Sequence, residues 1–181
     1  MPTVRLLPLY LLALALATPA AAGPDALRDA AAALPQLEVV AAPAPAPDAV
    51  FAGVDGAPMD LSAYAGKPAV VNFWATWCAP CRAEMPGLQR LADTRDDLEV
   101  VTIAFGRHNP AAMARFWEEA GITSLPLHLD ADGALARALG VRGLPHTVIL
   151  DAEGRLVASY RGEAVWDGPE VGAVLDALVA P

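Results

Sequence analysis

An α/β fold with a mixed central sheet flanked by helices is predicted by three observations. Short β-rich runs at residues 70–74, 98–105 and 146–150 alternate with helical segments. The alternation then breaks: residues 146–150, the turn Asp151-Ala-Glu-Gly154 and residues 156–160 read as a hairpin, followed by one terminal helix. A second, N-terminal β-hairpin is marked at residues 49–61 by the turn pair Asp55-Gly56.

Taken in order, residues 1–22 read as a signal peptide or an uncleaved anchor, and residues 23–47 as a linker. The linker's alanines and prolines, ending in Ala42-Pro-Ala-Pro-Ala-Pro47, favour an extended, semi-rigid chain without a core of its own, with at most one frayed helical turn near residues 25–34. The folded domain spans residues 48–181. Residues 70–74 form its first central strand and residues 79–95 its first helix, bent at Pro86. Residues 98–105 are a second buried strand. Asn109-Pro110 opens a helix closed by Gly121. A short strand at 125–129, a short helix at 133–139 stopped by Gly140, the hairpin, and a helix over 167–179 complete the order.

Chemistry is concentrated in Trp77-Cys78-Ala79-Pro80-Cys81, which holds the only two cysteines of the chain. A strand precedes the motif and a helix follows it, so Cys78 is expected at a helix N-terminus. Free N–H groups and the helix dipole there favour a thiolate. Cys81 lies one turn on, placed to attack a mixed disulfide on Cys78. The pair therefore reads as a dithiol–disulfide exchange site. A purely structural bridge across so short a loop would remove little chain entropy. Zinc would need four ligands, whereas His108, His128 and His146 are scattered singly. No cofactor and no resident metal are expected.

The N-terminus points to export. One basic residue within the first five, an apolar run over residues 6–17 and Ala20-Ala21-Ala22 follow the secretory pattern, with cleavage after Ala22. The competing reading, an uncleaved anchor, is almost long enough to span a bilayer, although Pro8 and Pro19 interrupt it. A periplasmic location follows, either soluble or tethered to the inner membrane. The formal charge of −9 argues against nucleic acid and anionic membrane surfaces as partners. Apolar residues make up 55% of the chain, but abundant alanine inflates that figure relative to the bulky core set.

Two separated motifs carry a family resemblance: Asn72-Phe-Trp-Ala-Thr-Trp-Cys-Ala-Pro-Cys-Arg-Ala-Glu-Met-Pro86 and Gly140-Val-Arg-Gly-Leu-Pro-His-Thr-Val-Ile-Leu-Asp151. From about residue 48 onward the chain resembles the thioredoxin fold, and more narrowly the exported TlpA/ResA-like thiol–disulfide reductases. Residues 162–170 are also similar to the segment before the last helix in TlpA-type members. The resemblance implies that Pro145 is cis and packs against the disulfide, that Leu144 helps to bind a partner's extended chain, and that Glu84 is an acidic residue acting with the cysteines. Trp77 and Pro80, beside Cys78, are expected contact residues. Glu84 follows Cys81 by three residues, so a carboxylate there would disfavour a nearby thiolate and could relay its proton. Asn72 stands where thioredoxins proper carry a buried aspartate, which shifts that work onto Glu84.

The expected partners are a disulfide-containing exported protein as substrate and a membrane thiol donor that returns electrons. The resemblance implies cytochrome c apoproteins or the copper-centre cysteines of cytochrome oxidase as targets. His146 replaces the threonine usual after the cis-proline in this group; strand alternation makes it a partly buried structural histidine, and His128 an edge histidine. Two alternatives stay open. One is a Cu(I) metallochaperone using Cys78, Cys81 and His146; the other is a non-catalytic binding module.

Overall fold

Strand β4 (Ala69–Trp74) is the axis of the molecule, and every one of its residues is buried. Apart from Asn72 the run is apolar, because both faces of the sheet are covered. The computed structural model describes residues 24–180; the signal or anchor segment assigned to residues 1–22 lies outside them. β4 pairs in parallel with β5 (Glu99–Phe105) and antiparallel with β7 (His146–Leu150). Beyond β5 come β6 (His128–Asp130), β2 (Phe51–Ala52) and β3 (Pro58–Met59). Beyond β7 come β8 (Arg155–Arg161) and β1 (Leu37–Pro45), giving an eight-stranded mixed sheet of order β1-β8-β7-β4-β5-β6-β2-β3.

Alternation along β4 divides the core. Val70 and Trp74 meet α2 (Ala79–Thr94), α3 (Pro110–Glu119) and α5 (Pro169–Val179) through Met85, Leu88, Phe116, Val171 and Leu175. Val71 and Phe73 face the other way. They pack with Leu61, in a 3-10 turn at Leu61–Tyr64, and with Leu135 and Ala136 of α4 (Ala134–Ala138). Proline and asparagine signals behave as their chemistry requires. Pro110 sits in the first turn of α3, and Asn109 caps that helix by accepting hydrogen bonds from the N–H groups of Ala111 and Ala112.

Two expectations are corrected. The segment read as an unpacked linker is largely ordered: α1 (Pro24–Ala31) and β1 join the domain. Leu27 and Ala31, four apart on α1, are buried, and Leu27 packs with Val157, Ala158 and Val174. β1 runs antiparallel along β8, from Leu37 opposite Tyr160 to Pro45 opposite Arg155, with a register break between Val39 and Ala44. Alanine–proline composition signals a linker because proline cannot complete a ladder; on the outermost strand the missing N–H groups need no partner. The second correction concerns His128. The strand expected at 125–129 is shorter and shifted to His128–Asp130, since Pro126 cannot donate to a ladder, and the β2–β3 hairpin covers its outer side. His128 is consequently buried, with Nε2 against the Tyr64 hydroxyl, rather than an edge residue.

Candidate active site

The chain leaves β4 at Trp74, turns through a bond from the Cys78 N–H to the Ala75 carbonyl, and enters α2. Cys78 is the N-cap of α2, with extended backbone, and its Sγ accepts from the Cys81 N–H at 3.3 Å. The two sulfurs are joined as a disulfide. Pro80 lies in the first turn, where its missing N–H costs no helical bond. Cys81 is fully buried, whereas Cys78 retains 6% of its surface, so the outer sulfur is the one a partner can reach. Trp77 stands beside it, 71% exposed. Trp74, at the end of β4, packs in tilted contacts against Trp117 at 4.7 Å between ring centroids and Phe116 at 5.7 Å.

β7 is antiparallel to β4, so its entry loop lies at the same end of the sheet as Cys78. The Leu144–Pro145 peptide there is cis. Pro145 is buried and its carbonyl accepts from the Gly162 N–H, while Leu144 packs against the cluster that contains both cysteines.

Glu84 is not a solvated helix residue; it is 3% exposed. Its Oε1 accepts from Asn72 Nδ2 at 2.7 Å, and its Oε2 accepts from Trp166 Nε1 at 2.9 Å and from the Ala164 N–H at 3.2 Å. Burial pushes its pKa up to about 7; the three donors oppose that rise, and the charge of Glu163 adds to it. Asn72 Nδ2 also donates to Thr147 Oγ1 at 3.0 Å, while its own Oδ1 is buried without a partner among the described residues. Trp166 and the Ala164 N–H were not singled out from sequence. Their only signal was the likeness of residues 162–170 to the family segment, and the contact with Glu84 spans some eighty positions of chain.

His146 pairs in register with Phe73 and shares its face, whereas Asn72 and Thr147 share the face toward Glu84. The sheet therefore separates the His146 ring from the sulfurs, and the Cys78–Cys81–His146 copper set is not brought together. Burial, with the nearby Arg161 charge, lowers the His146 pKa. Among the described residues no three His, Cys, Asp or Glu side chains cluster as a metal site.

A thioredoxin-like sheet with a cysteine pair capping the helix after its central strand, opposite a cis-proline loop, defines a class of redox proteins. The family model described as Redoxin matches residues 41–177, and the chain belongs to that family. It is 40% identical over 117 residues to the thiol:disulfide interchange protein DsbE of Pseudomonas fluorescens biotype C, a match spanning 63% of this chain and 64% of that relative's length. It is 34% identical to the thiol-disulfide oxidoreductase ResA of Geobacillus thermodenitrificans, covering 65% of this chain and 67% of the other. Among solved structures, a DsbF homologue from Corynebacterium diphtheriae superposes with a TM-score of 0.66 at 27% identity, over 79% of this chain and 93% of that one. No described helix is long and apolar enough to cross a membrane.

Proposed function

We propose that this chain is an exported thiol–disulfide oxidoreductase that reduces disulfides of other proteins in the periplasm. The observation that carries the reading is the Cys78–Cys81 disulfide at the start of α2, with Cys78 the more exposed of the pair, Cys81 fully buried and Glu84 one turn along the helix. In the reduced protein, the Cys78 thiolate attacks one sulfur of the partner's disulfide. A bond forms between Cys78 Sγ and that sulfur, and the partner's other sulfur departs as a thiolate and takes up a proton. Cys81 then gives up its proton, attacks Cys78 Sγ and releases the partner's second sulfur. Two electrons have passed to the partner, and the chain is left as the disulfide.

Glu84, with a pKa near 7, suits the acceptance of the Cys81 proton and its later return. Trp77, Pro80, Leu144 and Pro145 form the contact surface around the outer sulfur. Because the periplasm is kept oxidising, a membrane thiol donor must restore the dithiol. The targets we assign are cysteines of cytochrome c apoproteins or of the cytochrome oxidase copper centre, supported by the likeness to the exported reductases. The N-terminal segment serves as a signal or a tether.

The test is capture. Cys81→Ala leaves nothing to resolve the mixed disulfide, so incubation with periplasmic extract is expected to give a covalent adduct that dithiothreitol releases. The Cys78→Ala/Cys81→Ala protein should give none. Absence of adducts with Cys81→Ala would overturn the exchange reading and leave a binding module.

A further inference from the structure

The positive charges of this acidic chain are distributed unevenly. Among the described residues, Arg28, Arg90, Arg95, Arg155, Arg161 and Lys67 are each in a salt bridge with a carboxylate. Arg82, Arg107, Arg115, Arg137 and Arg142 are in none, and all five are exposed. Three of these belong to segments that surround the disulfide. Strand directions put the end of β4, the end of β5 and the start of β7 at one edge of the sheet. The loop leaving β5 carries Arg107, the loop entering β7 carries Arg142, and the first turn of α2 carries Arg82. The Arg82 guanidinium lies over the Phe116 ring, 4.7 Å from its centroid, which holds it near the start of the helix.

Carboxylates at this edge occupy the next loops outward: Asp132 follows β6, and Glu163 follows β8. Glu84 is buried and already accepts three hydrogen bonds. The strands flanking β4 on either side thus each present an unpaired arginine, and negative charge resumes one strand further out.

We propose that this arginine arc selects partner proteins that carry acidic side chains within a few residues of the target cysteine. The inference rests on the reductase reading above and names its substrate class. Attack turns a neutral partner sulfur into a thiolate, and acidic neighbours on the partner would oppose that build-up of charge. Arg107 and Arg142 lie on the loops either side of the edge where that charge develops, so they would offset the repulsion locally. At greater distance the net charge of −9 repels acidic partners, and selection is therefore by position rather than by total charge.

Two synthetic peptide disulfides of identical composition and net charge separate these effects. One has its aspartates adjacent to the cysteine; the other has them about ten residues away. Stopped-flow oxidation of the reduced protein at low salt is expected to run about five-fold faster with the adjacent isomer, the size of two unit charges acting across roughly 8 Å of water. That ratio should fall to one or below in Arg107→Gln/Arg142→Gln and persist in Arg115→Gln, whose arginine is on α3 and on none of these three segments. Equal rates for the two isomers in the unmodified protein, or a ratio that survives the double substitution, would overturn the inference while leaving the reductase reading intact. No reaction with either isomer would overturn both.

Discussion

At the scale of single residues, the cysteines differ in access and the carboxylate beneath them differs from an ordinary one. Iodoacetamide should modify Cys78 before Cys81 in the reduced protein near neutral pH, read by mass spectrometry; preferential labelling of Cys81 would reverse their roles. Glu84 holds its proton more tightly when folded, about 7 against an ordinary 4.5. The native state therefore binds more protons than the unfolded chain between those values, and stability falls as pH rises from 4.5 to 7. Glu84→Gln removes that loss. Denaturation of the oxidised proteins should shift in favour of the variant by about 3 kcal/mol between pH 4 and pH 8. Parallel stability curves would refute it. The amide can be accommodated because Asn72 has an unused Oδ1: rotating its amide offers an acceptor to the new Nε2. In the reduced variant the Cys81 thiol should also titrate lower, since no carboxylate repels its thiolate above pH 7. An unchanged thiol titration would mean that Glu84 is structural only.

At the scale of elements, α1 and β1 show how much the composition of residues 23–47 conceals. Leu27 is 7% exposed beneath α5 and β8. Leu27→Ala should destabilise the domain by about 2–3 kcal/mol if α1 is integral, as a large-to-small change in a packed site does. A cost below about 0.5 kcal/mol, the level of a surface substitution, would return the segment to a linker. α2 has the opposite character, being legible in advance. Its start is set by Cys78 and Pro80, and its buried stripe of Cys81, Glu84, Met85 and Leu88 follows the helical repeat.

At the scale of the molecule, sheet topology decides the redox environment. It sets the β7 entry loop and the β8–α5 connection around the cysteine pair, and supplies a buried carboxylate with no imidazole in the Ala79-Pro80 dipeptide. Strong oxidases are oxidising because their reduced form is stabilised. A carboxylate deep to Cys81 acts against the thiolate, so the pair should have a reduction potential well below ≈ −120 mV and nearer ≈ −270 mV. Equilibration against glutathione or dithiothreitol buffers measures it. A value above about −150 mV would make the protein an oxidant rather than a reductant.

Local chemistry determined a large part of this protein. The strand at residues 70–74, the helix that follows, the asparagine cap before Pro110 and the terminal hairpin all depend on short-range propensity and periodicity, which a few neighbouring residues specify. The Cys78–Cys81 pair was legible for the same reason: its spacing and its position between strand and helix are local facts. Tertiary structure decided what depends on residues far apart in the chain. Composition cannot show that an alanine–proline segment finds a free strand edge on β8, nor that a hairpin will cover His128. Register alone turned His146 from the sulfurs, because one step along a strand exchanges faces. Glu84 was implied by the family resemblance and supported by its helical position, but its burial and its three donors come from β4 and from Ala164 and Trp166 in the loop before α5, brought together only when the sheet closes over α2.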